Sequence, residues 1–185
     1  MKISDQTALV TGANRGLGTV FVQELVAKGC KVYACARNAE EINPLVEQYG
    51  QQVVPVTLDV TNQNDISSAS IAASDVNVLI NNAGRLDQMS LGEAGDLSSL
   101  RGEMEVNVFG LAGMCLAFAP IIGRNGGGTI VNVLSAASLV AVPHFGSYAA
   151  TKAAAMSLTH SMRWDFEPIG VDIVGIYASL IDTGM

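Results

Sequence analysis

Short runs of β-branched and other apolar residues recur along the chain, each followed by a stretch with helical spacing. The runs at 7–10, 31–36, 53–58, 76–80, 129–134 and 171–176 predict strands, because brief continuous apolar stretches suit strands buried on both faces. Residues 17–28, 40–49, 63–72, 97–122 and 149–166 predict helices, with Gly29, Gly50, Gly126 to Gly128 and Gly170 at the breaks. Strands alternating with helices imply parallel pairing, helices on both sheet faces and right-handed crossovers. The expected fold is therefore α/β, a three-layer doubly wound parallel sheet. No repeat, low-complexity tail or linker interrupts it, so residues 1–185 are read as a single domain.

The first strand runs into Thr11-Gly-Ala-Asn-Arg-Gly-Leu-Gly18 and then directly into a helix. Glycines there allow a sharp turn and close approach of a pyrophosphate, and the helix start offers N–H donors and a positive dipole end. The context makes the fold Rossmann-like and the loop a candidate dinucleotide cradle, although an ordinary strand-to-helix turn uses the same residues. The second strand ends in Tyr33-Ala-Cys-Ala-Arg-Asn38, with no carboxylate to grip a ribose 2′-hydroxyl. Arg37 stands where a 2′-phosphate would lie and Arg15 approaches from the loop, so NADP(H) is preferred, with NAD(H) as the alternative. Two solvated arginines are the plainer reading of the same pair.

The fifth strand delivers Ser135, and a loop marked by Pro143 and Gly146 leads to the helix carrying Tyr148 and Lys152. Four residues apart, these two share a helix face. A phenol titrates near 10 and is a poor base at neutral pH, but a nearby ammonium is expected to lower that value. Ser135, Tyr148 and Lys152 together suit proton transfer to or from a substrate oxygen, with Ser135 holding that oxygen.

Composition narrows the choice of partners. The 185 residues carry a net charge of −7 without a basic cluster, which argues against nucleic acid or an anionic membrane. Cys30, Cys35 and Cys115 read as small core residues of a reducing compartment, and His144 and His160 lack ligand spacing, so no metal is expected. Residues 106–123 are uncharged, but Asn107, several glycines and Pro120 favour a buried or interface helix over a membrane span. No signal peptide is read at the N-terminus, and a cytoplasmic location is expected. Small residues at Gly110, Ala112, Gly113, Ala117, Ala153 and Ala154 would let helices meet across a twofold axis, giving a homodimer or homotetramer.

The glycine spacing Gly-x-x-x-Gly-x-Gly, then Asn81-Asn-Ala-Gly84, Ser135, Tyr148 and Lys152 in that order, resembles the short-chain dehydrogenase/reductase family, in particular its bacterial carbonyl and 3-oxoacyl reductases. The resemblance covers nearly the whole chain. It implies that Gly12, Gly16 and Gly18 border the cofactor phosphates, with Asn14, Arg15 and Leu17 in the same loop. It also implies that Asp59 and Val60 contact the adenine, and that Asn81, Ala83 and Gly84 pass beside the ribose. Ser135, Tyr148 and Lys152 would be catalytic, with Lys152 also on the nicotinamide ribose. Asn107 would hold a water leading to Lys152, or be a buried amide satisfied by backbone. Thr183 would meet the nicotinamide carboxamide. Ala178 and Ser179 replace the family's Pro-Gly, and the chain stops at Met185, before the family's substrate-covering segment and seventh strand. The C-terminal end of the family fold is thus expected to be missing. The implied activity is NADPH-dependent carbonyl reduction or the reverse alcohol oxidation on a small-molecule substrate. The rivals are a cofactor-binding regulatory protein without turnover and a relative catalysing isomerisation or elimination.

Overall fold

The structure is a computed structural model that describes residues 3–87, 91–141 and 143–179. Six strands, β1 (Thr7–Thr11), β2 (Lys31–Ala36), β3 (Val53–Thr57), β4 (Val78–Asn81), β5 (Gly128–Ser135) and β6 (Val171–Ala178), form one sheet. Their order is β3-β2-β1-β4-β5-β6, and every neighbouring pair is parallel. Between the strands lie α1 (Gly16–Ala27), α2 (Asn43–Tyr49), α3 (Gln63–Ala72), α4 (Leu91–Ala94), α5 (Ser98–Met104), α6 (Leu111–Arg124) and α7 (Gly146–Phe166). The strand order reverses between β1 and β4, the place where ligands bind in such sheets.

Period-two alternation divides the strand side chains between two cores. Ala8, Val10, Val32, Ala34 and Ala36 join Val22, Leu25 and Val26 of α1 and Leu45 of α2 on one face. Leu9, Tyr33, Cys35, Leu79 and Ile130 join Ile66 of α3, Phe118 of α6 and Met162 of α7 on the other. Both sheet faces are covered, which is why the strands read as unbroken apolar runs. Cys30, Cys35 and Cys115 are all buried and free. Burial pushes the Cys115 thiol up to about 12, so it stays an unreactive core group.

Several element ends shift by a few residues, and three differences from the sequence reading bear on the site. The fourth strand starts at Val78 rather than Val76, because the Val76 N–H turns back to Ala73 and ladder pairing with β1 begins two residues later. Helix α7 starts at Gly146, and the Ala149 N–H donates to the Phe145 carbonyl at 2.8 Å, so Tyr148 lies in the first helical turn. The expected long helix is continuous over Ser98–Arg124 but contains a π-helical segment, Glu105–Gly110. Such widened turns are rare and recur at functional sites. This helix is the one element among the described residues long and apolar enough to cross a membrane. It instead packs against the sheet, α3 and α7.

Two of the small residues expected at a subunit interface serve the domain itself. A Cβ on Gly110 would stand 2.7 Å from Val60 Cγ2, and one on Gly113 would stand 3.1 Å from Ile66 Cδ1. What the helix exposes is Phe109, 57% accessible, and Leu116, 63% accessible.

Candidate active site

Ser135 is the last residue of β5 and caps the short turn that follows. Its Oγ accepts from the Ala137 N–H at 3.1 Å, while Ser138 Oγ accepts from the Ser135 N–H at 3.3 Å. This reciprocal cap fixes the side chain and leaves the hydroxyl proton to be donated. Tyr148 is within hydrogen-bonding reach of Ser135, and Lys152, one turn further along α7, lies over its ring with Nζ 5.7 Å from the centroid.

The two titratable groups are tuned mainly by burial. Burial pushes the Tyr148 phenol above its ordinary value; the hydrogen bond with Ser135 opposes this and the Glu103 charge reinforces it. The lowering expected from Lys152 is therefore not what prevails here. Burial brings Lys152 down to about 8, and its ammonium donates to the Val133 carbonyl at 2.9 Å. Burial thus brings the lysine nearer neutrality than a free side chain, while it holds the phenol in its neutral, proton-bearing form.

Asn107 is buried in the π-helical segment and faces this group. Its Oδ1 accepts from the Arg85 N–H at 2.8 Å, and its Nδ2 donates to the Arg85 carbonyl at 2.8 Å and to Thr151 Oγ1 at 3.0 Å. Thr151 Oγ1 donates in turn to the Tyr148 carbonyl at 2.8 Å. The amide is thus satisfied by backbone and at the same time ties the loop after β4 to the first turns of α7. Gly84 lies between them, since a Cβ there would be 3.4 Å from Asn107 Oδ1 and 3.8 Å from Lys152 Nζ.

The glycine loop forms a tight cradle at the start of α1. Gly12 and Gly16 hold φ of 62° and 53°, a region that favours glycine. A Cβ on Gly18 would stand 2.1 Å from the Gly12 carbonyl oxygen, so helix and loop approach as closely as they do only with glycine. Arg15 at the N-cap provides no side-chain cap, which leaves the first N–H groups of α1 available to an anion. Leu17 packs partly buried against the core, and Asn14 Nδ2 donates to Glu41. Arg15 and Arg37 are exposed and form no ion pair among the described residues. The glycine cradle with its open helix N-terminus fits a dinucleotide pyrophosphate.

Other residues fall into supporting places. Asp59 Oδ1 accepts from the Thr61 N–H and hydroxyl, and the Asp59 N–H donates to Asp65, which shapes the turn into α3. Val60 is buried against Gly110. Asn81 points away from the cleft, donating to Asn132 Oδ1 at 2.9 Å within the core. The Ala83 N–H donates to Thr11 Oγ1 at 2.9 Å. Thr183 lies outside the described residues.

Sequence reasoning missed two connectors, Thr11 and Asn82. Thr11 Oγ1 accepts from the Asn82 and Ala83 N–H groups, while Asn82 Nδ2 donates to the Thr11 and Gly12 carbonyls at 3.0 and 3.1 Å. Asn82 therefore fixes the glycine loop from the neighbouring strand. Its only sequence signal was its place as the second asparagine of Asn81-Asn-Ala-Gly84.

A doubly wound parallel sheet with a glycine cradle at the β1–β4 switch point, and a serine, tyrosine and lysine converging beside it, defines a dinucleotide-dependent oxidoreductase. Residues 6–185 match the profile of the short chain dehydrogenase family, and the chain belongs to that family of NAD(P)-dependent short-chain oxidoreductases. It is 33% identical over 193 residues to a 2-(R)-hydroxypropyl-CoM dehydrogenase of Xanthobacter autotrophicus, covering 97% of this chain and 76% of that protein. It is 33% identical over 189 residues to a probable galactose dehydrogenase of Rhizobium meliloti, covering 98% and 73%. Among solved structures, a short chain dehydrogenase from Burkholderia cenocepacia in complex with NADP superposes with a TM-score of 0.94 at 40% identity, over 100% of this chain and 76% of that one. A Burkholderia phymatum relative in complex with NAD gives 0.92 at 29% identity, over 100% and 69%.

Proposed function

We propose that this chain catalyses the NADPH-dependent reduction of a small-molecule carbonyl compound, or the reverse oxidation of the alcohol. The observation that carries the reading is the meeting of Ser135, Tyr148 and Lys152 beside Gly84 and the glycine cradle. When bound, the nicotinamide supplies or accepts the hydride. Ser135 donates a hydrogen bond to the substrate oxygen and orients it, keeping its own proton. Tyr148 gives the proton that completes the alcohol. Lys152, held at the Val133 carbonyl, supplies positive charge beneath the phenol and favours the phenolate left behind. Asn107 keeps residue 85 and the catalytic turn of α7 in register.

Preference for NADP(H) is supported by Arg15, by Arg37 and by the relative in complex with NADP, while NAD(H) remains the second cofactor of the pair. Exposed Phe109 and Leu116 support a homodimer or homotetramer, because apolar residues of that size on one helix face mark an association surface. The net charge of −7 without a basic cluster argues against nucleic-acid or anionic-membrane partners, and three free, buried cysteines support a reducing, cytoplasmic compartment.

The test is loss of reduced-nicotinamide absorbance with a panel of ketones, aldehydes and 3-oxoacyl thioesters, run with NADPH and with NADH. Turnover of at least one carbonyl, faster with NADPH, is expected. Cofactor binding without turnover of any carbonyl or alcohol identifies a regulatory binder, and isomer or dehydrated product without cofactor consumption identifies the other chemistry.

A further inference from the structure

One buried hydroxyl between Tyr148 and Lys152 has no part in the proposed chemistry. Thr151 is completely inaccessible, and its Oγ1 donates to the Tyr148 carbonyl at 2.8 Å. Its single proton is thereby committed, so towards any other group the oxygen only accepts. It accepts from Asn107 Nδ2 at 3.0 Å, across the contact between α7 and the π-helical segment of the long helix. Bonding back to the helix already satisfies a threonine in this position. The second, buried partner on another element is what sets Thr151 apart.

The Asn107 amide is oriented by Arg85, whose N–H and carbonyl it meets with Oδ1 and Nδ2, both at 2.8 Å. Its remaining Nδ2 proton goes to Thr151. One amide thus joins the backbone of residue 85 to the Tyr148 carbonyl through a single threonine oxygen. Gly84, next to Arg85, lies inside this tie, because a Cβ there would stand 3.4 Å from Asn107 Oδ1 and 3.8 Å from Lys152 Nζ. The tie therefore closes around the lysine ammonium. Thr159, about two turns further along α7, repeats the arrangement farther from Tyr148. Its Oγ1 donates to the Ala155 carbonyl at 2.7 Å and accepts from Asn132 Nδ2 of β5 at 2.9 Å.

We propose that Thr151 is a positioning residue for the proton donor. Through its hydroxyl, Asn107 holds the first turn of α7 at a fixed height against the loop after β4, so that Tyr148 and Lys152 address one point beside Ser135. Without the hydroxyl, α7 keeps its apolar packing, but its first turn loses this tie and a buried Asn107 proton loses its acceptor. Thr159 anchors the same helix to β5 and serves the fold alone. This deepens the reading of Tyr148 as proton donor and rests on it.

Thr151→Val keeps the branched shape and removes the hydroxyl, Thr151→Ser keeps the hydroxyl, and Thr159→Val removes the corresponding bond further along α7. Thr151→Val should lower kcat for ketone reduction by roughly 10–100-fold with KM and cofactor affinity little changed, because a misplaced donor slows the chemical step. Thr151→Ser should restore most of the rate. Thr159→Val should lower the melting temperature at least as much and leave kcat near the wild-type value. Adding Thr151→Val to Asn107→Ala should cost little more than Asn107→Ala alone, since two members of one tie do not act additively. Without any turnover, the Asn107 side-chain amide protons, assigned by NMR through their loss in Asn107→Ala, should exchange with solvent faster in Thr151→Val. Unchanged kcat in Thr151→Val overturns the proposal, as do equal losses in Thr159→Val, additive losses with Asn107→Ala, no restoration by serine, or unmoved amide exchange. If Thr151→Val does not fold, Thr151→Ala takes its place; failure of both to fold makes the hydroxyl purely structural and also overturns it. A wild-type protein that reduces no carbonyl overturns the functional reading and this role with it, whereas turnover that survives Thr151→Val overturns this role alone.

Discussion

The Lys152 ammonium donates to the Val133 carbonyl at 2.9 Å from a site only 5% accessible, where burial lowers its pKa to about 8. The unfolded chain holds this proton up to about 10.4, so between those values it binds more protons than the folded protein. Stability of the cofactor-free protein is therefore expected to rise with pH from about 8 to about 10, by roughly 2–3 kcal/mol. Above that, Tyr148, which resists ionisation in the fold, opposes the trend. Urea unfolding at successive pH values checks this. Lys152→Met should flatten the rise, and an equally steep rise in that variant would assign it to other groups.

Tyr148→Phe removes the phenolic proton and keeps the ring under Lys152. Carbonyl reduction should slow by roughly 10²–10⁴-fold while cofactor affinity stays within about twofold. Single-turnover kinetics and cofactor fluorescence titration measure the two separately. Wild-type turnover in the variant would remove Tyr148 from the mechanism.

Arg37 is exposed just beyond the end of β2, and Arg15 is exposed in the glycine loop. Arg37→Asp removes a phosphate partner and adds a like charge, so NADPH should weaken by roughly 10–150-fold and NADH by much less. Equal losses for the two cofactors would count against a 2′-phosphate site there.

Phe109 and Leu116 lie two turns apart on one face of the long helix and are both mostly exposed. Light scattering coupled to gel filtration should give at least a dimer at micromolar concentrations. Phe109→Glu with Leu116→Glu should shift it to the monomer mass without loss of helical signal. A wild-type monomer that still reduces ketones would end the proposal of a subunit interface on this face.

The alternation of apolar runs and helical stretches was sufficient to place all six strands, because strands covered on both faces must be apolar throughout. The glycine loop and the Ser135, Tyr148 and Lys152 spacing were legible for a related reason: each depends on local geometry, a turn after a strand or one turn of a helix. Tertiary structure decided what depends on contacts far apart in the chain. Gly110 and Gly113 were spent on Val60 and Ile66 rather than on a partner, which no local pattern distinguishes. Asn107 met Arg85 and Thr151 through a widened turn that helical periodicity does not reveal. The pKa directions of Tyr148 and Lys152 followed from burial rather than from their spacing. Nothing in the sequence sets Glu103 apart from other charges on that helix, and only the fold buried it, because desolvation is a property of the packed interior and not of the sequence.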